Sequence, residues 1–324
     1  MTARVLAGIV TFNSADTIEV CIESLLAQQD VELRVIVVDN ASTDDTRQRL
    51  ARFAIDVRVS GTNLGYCEAY NRILQDASEE WILVLNPDVI LLPGFVSILV
   101  QAAERRCEVG SASGKLLRWD QDRAVIDSAG IIGRPQQRHL DRGAGTEDRG
   151  QFDEPCYVFG ASGAAALHRR AMLEDIRLDG EYFANDFFAY RDDVDLAWRA
   201  QIQGWKCVYV PAAVARHRRR VVPERRRALP PELNFHSVKN RWLLRWRNLH
   251  WKIYLRYFLP ITFRDLQVLG YVVLRERTSL PALRLAWGLR ARHKACGRQI
   301  ERLRRVGLSY LSQWFRKETL PLDK

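Results

Sequence analysis

The sequence predicts an α/β fold with a mostly parallel central sheet covered by helices, followed by a basic, amphipathic helical region. Two observations lead to this prediction. Over residues 1–103, short apolar runs rich in β-branched residues alternate with amphipathic segments of helical length, a pattern typical of parallel strands joined by helices. From about residue 216 onward the pattern is helical and strongly basic. The 324-residue chain, 47% hydrophobic and 27% charged, can bury a core of ordinary size.

The elements follow from the same pattern in chain order. The apolar runs of the first hundred residues predict strands at residues 5–11, 33–38, 57–60 and 81–85. The segments between and after them predict helices at about 15–28, 43–53 and 65–76, and another from residue 93, a proline whose missing N–H costs little there. Further strands are expected at about 110–117, 156–168 and 206–211, and a helix near 193–203. Residues 133–154 are interpreted as a mobile excursion.

Polar side chains follow three of the predicted strands, in the segments Thr11-Phe12-Asn13, Asp39-Asn40 and Asn86-Pro87-Asp88. Ligands of such sheets bind beyond the carboxyl ends of the strands. The three segments are therefore expected to gather along one edge of the sheet, which is the first indication of a functional site.

Two carboxylates in these segments suit a specific chemistry. Asp88, held by a proline at the end of a buried strand, could bind Mg²⁺ or Mn²⁺, which favour carboxylate oxygens and often bind together with diphosphates. Asp39 could accept a hydrogen bond from the imide N–H of uracil or thymine. Taken alone, each residue is also compatible with a solvated turn.

Three further groups are candidates for the site. Asn71 lies within a predicted helix, where asparagine is mildly unfavourable, so it could bind a ligand at the strand ends, brace a loop or face solvent. Asp192 and Asp193 follow an aromatic run and suit either a general base or an exposed acidic helix start. His217 could bind a metal or a phosphate, although a lone histidine is usually structural.

The charge is unevenly divided along the chain. Residues 216–324 hold 27 Lys and Arg against 7 Asp and Glu, a net of +20, whereas residues 1–215 have a net of −10. Trp and Leu interleave with Arg over residues 233–305, for example in Asn240-Arg241-Trp242-Leu243-Leu244-Arg245-Trp246-Arg247. This pattern suits helices lying in the headgroup layer of an anionic membrane. A helical subdomain that packs on the core with a solvated basic face is the alternative.

The sequence also indicates a compartment. No signal-peptide pattern follows Met1, and no segment approaches the roughly 18 uninterrupted apolar residues of a spanning helix. The six cysteines are widely spread and form no C-x-x-C pair, as expected of reduced thiols. We therefore expect a cytoplasmic protein that is peripheral on the inner face of the cytoplasmic membrane.

Six segments, in this order, resemble the family-2 inverting glycosyltransferases of the GT-A fold, in the branch of bacterial rhamnosyltransferase-type enzymes that build cell-surface polysaccharides. The matching segments are residues 9–13, 37–42, 63–66, 85–89, 187–196 and 204–206, completed by His217. The resemblance covers about residues 4–220. It implies a GT-A catalytic domain at 1–220 and a basic helical region at 221–324 that associates with membrane or packs on the core.

The resemblance also implies roles for individual residues. The residues implied to bind the nucleoside diphosphate sugar donor are Thr11, Asn13, Asp39, Asn40, Asn63, Gly65, Asn71, Asn86 and Asp88. Asp88 and His217 would hold a divalent cation, Mg²⁺ or Mn²⁺. Asp193 would be the catalytic base, with Asp192 beside it in place of the family's Glu. The residues implied to lie near the acceptor are Gly160, Ser162 and Gly163.

The implied reaction is a single displacement with inversion, in which Asp193 deprotonates the acceptor hydroxyl. The expected donor is dTDP-rhamnose, or next a UDP-hexose, and the expected acceptor is a lipid-linked glycan or a polysaccharide. An anionic membrane surface is the expected partner, and nucleic acid is not. A non-catalytic nucleotide- or glycan-binding protein of the same fold, or a nucleic-acid-binding protein acting through the basic region, are the alternatives.

Overall fold

The computed structural model describes residues 2–119, 123–219 and 231–322. The strands of these residues are β1 (Ala3–Thr11), β2 (Val31–Asp39), β3 (Asp56–Val59), β4 (Trp81–Leu85), β5 (Val89–Leu91), β6 (Val109–Arg118), β7 (Ile126–Ser128), β8 (Ile131–Arg134), β9 (Arg138–Asp141), β10 (Cys156–Val158), β11 (Ala165–Arg169) and β12 (Lys206–His217). The α-helices are α1 (Ile18–Leu26), α2 (Thr46–Leu50), α3 (Gly65–Gln75), α4 (Phe95–Glu104), α5 (Arg170–Asp175), α6 (Asp192–Ile202), α7 (Pro231–Asn248), α8 (Trp251–Arg256), α9 (Phe258–Arg275), α10 (Leu280–Arg302) and α11 (Leu308–Gln313).

Ten strands form one sheet, of which eight lie in the order β10-β12-β6-β11-β4-β1-β2-β3. The neighbours among β4, β1, β2 and β3 are parallel, because α1, α2 and α3 supply the crossover connections that parallel pairs need. β6 and β12 are also parallel, whereas β11 runs antiparallel between β4 and β6. The predicted α/β fold with a mostly parallel sheet is therefore confirmed.

The predicted elements agree best with the structure where a strand or helix can be recognised from its own residues. The four strands predicted for the first hundred residues lie within two residues of their predicted bounds, and β5 was not predicted. The helices α1 and α2 are shorter than predicted. The prediction of an irregular excursion over residues 133–154 is wrong for residues 133–141, because β8 and β9 form a hairpin there, with Ile131 paired to Asp141. Ile131 and Ile132 of this hairpin are buried by segments distant in sequence, which the local composition does not reveal.

The C-terminal helices share the hydrophobic core of the sheet. Leu243 and Leu244 of α7 and Trp314 after α11 belong to the same buried cluster as the strands. The expectation that residues 240–247 form an interfacial helix is wrong. These residues belong to α7, and the side chains of Asn240 and Arg247 are buried, as are Leu243 and Leu244 between them. The predicted domain boundary at residues 220–221 lies outside the described residues. None of the helices in the described ranges combines the length and apolar character needed to cross a bilayer.

Candidate active site

The ends of β1 and β2 form the first part of the site. Thr11 and Asp39 are register partners at the last positions of these parallel strands, and both are buried. Asp39 Oδ2 accepts from the backbone N–H of Ser42 at 3.1 Å. Three oxygens here, Thr11 Oγ1, Asp39 Oδ1 and Asn40 Oδ1, are buried and have no hydrogen-bond partner among the described residues. Since buried polar atoms are normally paired, these oxygens mark a place for a ligand.

Asn13 supports this part of the site from the loop after β1. Its backbone has a φ of 50°, and its N–H donates to Ser42 Oγ at 2.9 Å. Its side-chain Oδ1 accepts from the backbone N–H of Thr43 at 2.8 Å. The side chain therefore ties the β1 loop to the β2 loop, and its predicted contact with the donor stays a prediction.

The start of α3 connects this region to the loop before α6. Exposed Asn63 accepts from the Gly65 N–H at 2.9 Å, and Asn40 Nδ2 donates to the Gly65 carbonyl at 3.0 Å. Gly65 has a φ of +78°, and a Cβ at this position would lie 2.5 Å from the ring of Phe188. Only glycine satisfies both the left-handed backbone and the close approach of the ring.

Of the roles left open for Asn71, the structure shows the bracing of a loop. Its Nδ2 donates to the carbonyl of Phe183 at 2.7 Å and to Asn185 Oδ1 at 2.9 Å. Its Oδ1 accepts from the backbone N–H groups of Tyr182 and Phe183, both at 2.9 Å. Because both donors and the acceptor oxygen are engaged, Asn71 braces the loop before α6. This corrects its assignment to donor binding.

Two acidic side chains and a histidine meet beyond β4 and at the end of β12. His217 Nδ1 lies 2.7 Å from Asp127 Oδ2, and His217 Nε2 lies 3.3 Å from Asp88 Oδ1. Burial opposes a charge on the ring, but hydrogen bonds to the two carboxylates raise the pKa of His217 to about 9. Burial likewise opposes ionisation of Asp127. The hydrogen bond from His217 and the positive charge of Arg219 outweigh it, so the pKa of Asp127 is lowered.

This donor set suits a divalent cation bound together with a diphosphate. A cation would be held by a carboxylate oxygen of Asp88 and, once Nε2 has lost its proton, by the ring of His217. Asp127 would orient that ring as a supporting carboxylate does in metal sites. Within the described ranges, no group of three or more His, Cys, Asp or Glu side chains is placed so that it could hold a metal ion by itself. Phosphate oxygens of a ligand would have to complete the coordination of such a cation.

Asp127 is a residue that the sequence reasoning missed. It lies in the short strand β7 and is fully buried. Aspartate is depleted in strands, so an aspartate between the apolar Ile126 and a serine was a usable signal. Nothing in the local sequence, however, indicated its contact with His217, which is 90 residues away.

The acidic pair begins α6. Asp193 is half-buried, and its Oδ1 accepts from Val194 N at 2.7 Å while its Oδ2 accepts from Gly163 N at 3.3 Å. Asp192 is buried. Burial raises the pKa of both carboxyls, and the charge of Asp193 raises that of Asp192 further, as Asp141 does for Asp193. A carboxyl whose pKa is shifted towards neutral pH is suited to act as a general base.

The remaining predicted residues lie around this pair. The Asn86 N–H donates to the Ala164 carbonyl at 2.8 Å, and Ala164 follows Gly163, so the end of β4 lies next to the base candidate. Gly160 packs against α6, where a Cβ would lie 2.5 Å from Ala197 Cβ. Ser162 is buried in the turn before β11. The acceptor contacts of Gly160, Ser162 and Gly163 stay predictions.

Comparison with known proteins identifies the family. The family model described as Glycosyl transferase family 2 matches residues 7–177, more than half of the chain. This chain belongs to glycosyl transferase family 2. This family-2 glycosyltransferase is 32% identical over 233 residues to the N-acetylglucosaminyl-diphospho-decaprenol L-rhamnosyltransferase of Mycobacterium tuberculosis, covering 64% of this chain and 74% of that protein.

Solved structures support the fold of this family-2 glycosyltransferase. A mannosyltransferase from Pyrobaculum calidifontis, in complex with GDP-Man and Mn²⁺, matches 98% of this chain and 89% of its own, with a TM-score of 0.54 and 18% identity. S. aureus TarS 1-349 in complex with UDP-GlcNAc matches 92% and 90%, with a TM-score of 0.56 and 17% identity. The predicted GT-A fold, family and enzyme class are thereby confirmed.

Proposed function

We propose that this glycosyltransferase transfers a sugar, with inversion, from a nucleoside diphosphate donor to a lipid-linked or polysaccharide acceptor in cell-surface glycan synthesis. The observation that carries the proposal is the placement of unpaired buried oxygens at Thr11 and Asp39, the Asp88–His217 pair and the acidic start of α6 along one edge of the sheet. dTDP-rhamnose is the first candidate donor, because the mycobacterial relative is a rhamnosyltransferase. A UDP-hexose is the second.

Each of the three parts of the site has one role in the proposed reaction. Asp39 and Thr11 hold the nucleobase, whose imide N–H can donate to the unpaired Asp39 oxygen. Asp88 and His217 would hold a divalent cation, which when bound would offset the negative charge of the leaving diphosphate. Asp193, beside Gly163, takes the proton of the acceptor hydroxyl as that oxygen attacks the anomeric carbon. The hydroxyl proton ends on the Asp193 carboxylate, and no covalent enzyme intermediate forms.

A donor panel tests this assignment. Thermal unfolding is measured with dTDP, UDP, GDP and their sugar conjugates, each with and without Mn²⁺ or Mg²⁺. We expect one base to stabilise the protein, and only with metal, because bound ligand adds to the free energy of unfolding. The stereochemistry of turnover of the stabilising donor is then read by NMR. Stabilisation by none of the donors, or product with retained configuration, would contradict the proposal.

We further propose that α8 and α9 seat the enzyme on an anionic membrane that carries the acceptor. Leu259, Phe263 and Leu266 are 78%, 64% and 63% exposed, and their spacing puts them on one face of α9. Trp251 and Leu255 of α8 are 61% and 60% exposed. A large exposed apolar face of this kind is typical of an interaction surface.

The charges around this face favour an anionic bilayer. Residues 249–275 contain basic side chains at Lys252, Arg256, Arg264 and Arg275. Asp265 is the sole acidic residue in that range, and it is turned inward in ion pairs with Arg241 and Arg245 of α7. Helices that lie in the headgroup layer of a membrane typically combine an apolar face with flanking Lys and Arg side chains.

Vesicle flotation tests the membrane proposal. The double change Phe263→Ser and Leu266→Ser should weaken binding to phosphatidylglycerol vesicles by at least about tenfold, since each buried apolar side chain contributes about 1.5–3 kcal/mol. Leu26→Ser, at an α1 leucine that is 47% exposed, is the matched control and should not change binding. Equal binding by the double variant, or binding of the parent protein to nucleic acid but not to vesicles, would contradict the membrane assignment.

A further inference from the structure

The loop that precedes the acidic pair has an unusual backbone. Phe188, Tyr190 and Arg191 have φ values of 65°, 69° and 64°, although none of them is glycine. The Ala189 N–H donates to the Phe187 carbonyl at 2.8 Å, and Phe188 between them has a ψ of −62°. This is the rarer and strained form of γ-turn. Such a backbone persists only where the surrounding structure holds it.

One amide of α7 holds most of this loop. Asn240 is fully buried, and its Nδ2 donates to the carbonyls of Phe187 at 2.9 Å and of Ala189 and Tyr190 at 2.8 Å. The two hydrogens of this amide are therefore shared among three carbonyl oxygens. These carbonyls belong to residues within six positions of Asp193, the proposed base. An amide donates in this way, whereas an aliphatic side chain or a carboxylate cannot.

Neighbouring contacts hold the loop from both sides. Lys239 Nζ donates to the Asp186 carbonyl at 2.5 Å, and the His236 ring stacks on Phe188 at 4.5 Å between centroids. On the opposite side, the Cys67 N–H of α3 donates to the Phe188 carbonyl at 3.1 Å. The amide of Asn240 is distinctive among these contacts, because it bonds the main chain at three places directly before the acidic pair.

We propose that Asn240 is a positioning residue for catalysis, which sets the place of the Asp193 carboxylate by holding the strained loop in front of α6. The basic C-terminal region thereby contributes to the catalytic centre in addition to any contact with membrane. The inference rests on the proposed role of Asp193. Loss of the amide should disturb turnover more than donor binding, because the residues proposed to hold the nucleobase and the cation lie at the ends of β1, β2 and β12 and in the segment after β4.

The test compares two variants of α7. Asn240→Ala removes the three hydrogen bonds to the loop. Val238→Ala is the matched control, because Val238 is also buried on α7 but packs in a separate small cluster with Val272 and Ala282. Both changes are expected to loosen the packing of α7, and only the first reaches the loop. Donor affinity by calorimetry, kcat, and hydrogen exchange of residues 185–195 are measured for both variants.

We expect Asn240→Ala to lower kcat by about 10- to 100-fold, since small misplacements of a reacting group have effects of this size. The KM for the donor should stay within about twofold, and hydrogen exchange of residues 185–195 should rise. Val238→Ala should keep kcat and the exchange of this segment. Unchanged kcat and exchange in Asn240→Ala, or parallel losses of kcat and donor affinity in both variants, would overturn the inference. If the parent shows no turnover, the proposed function fails, and the exchange comparison still decides the role of Asn240 in the loop.

Discussion

Replacing Asp193 by Asn removes the proposed base while keeping the size of the side chain. The oxygen of the new amide can still accept the 2.7 Å bond from Val194 N. Its NH₂ group would then face Gly163 N, so the longer bond of 3.3 Å is lost at a cost of about 1 kcal/mol. The fold and the donor site, which lies on other elements, should therefore stay intact.

The effect on turnover should be much larger than the effect on stability. A positioned general base contributes roughly 10²–10⁴-fold to rate. We expect kcat to fall by that factor, which corresponds to about 3–5 kcal/mol of activation free energy. Asp192→Asn, at the buried neighbour, should cost less, because Asp193 is the member of the pair that lies beside Gly163 and is partly exposed.

The raised pKa gives this prediction a pH dependence with a definite sign. Between the unfolded and the raised folded pKa of Asp193, the folded state binds more protons, so stability falls as pH rises through that window. The Asp193→Asn variant has no titrating carboxyl at this position, so its stability relative to the parent should rise with pH across this window and level off above the folded pKa. This relative gain should be absent below about pH 4, the ordinary aspartate value.

The assay combines initial rates at saturating donor and acceptor with calorimetric donor affinity and thermal unfolding between pH 4 and 8. The acidic limb of kcat against pH should lie above the range of an ordinary aspartate, because the carboxylate must be ionised to accept the proton. A kcat for Asp193→Asn within about threefold of the parent, at unchanged donor affinity, would refute the assignment of Asp193 as base.

Three further changes test other parts of the structure. Gly65→Ala should destabilise the protein by at least about 1–2 kcal/mol, because its Cβ would lie 2.5 Å from the Phe188 ring on a left-handed backbone. It should also weaken donor binding, because the Gly65 carbonyl accepts from Asn40 at the end of β2. Gly61→Ala, with open space around it, should change neither the melting temperature nor donor binding. Asp195→Asn should cost about 3–5 kcal/mol in urea unfolding, because two buried arginines lose their carboxylate, whereas Asp56→Asn at an exposed ion pair should cost less than about 1 kcal/mol. Asp88→Asn should abolish the extra thermal stabilisation that Mn²⁺ gives to the donor complex; a retained metal effect would exclude Asp88 as a ligand.

The local sequence was sufficient for the strands and for the residues at their ends. A strand that is buried on both faces is a continuous apolar run, so β1, β2 and β4 were predicted closely, and Thr11, Asp39 and Asp88 follow from where those runs end. The acidic start of α6 was predicted for the same reason, because carboxylates at a helix start form a local signal.

Contacts between distant segments could not be predicted in this way. Asn71 proved to be a loop brace, since an amide that binds a ligand and one that binds a backbone carbonyl look the same in sequence. Asp127 becomes significant only through His217, and Asn240 only through the loop before α6.

The sequence by itself thus determined the family, the sheet and the acidic residues at its edge, because these depend on periodicity and on short motifs. Only the tertiary structure decided which face of the basic helices is buried. An interleaved run of Trp, Leu and Arg suits a membrane surface and a packed interior equally well. The arginines of α7 can be buried because they form ion pairs with Asp195 and Asp265. The apolar side chains on the outer face of α9 are not covered by any of the described residues.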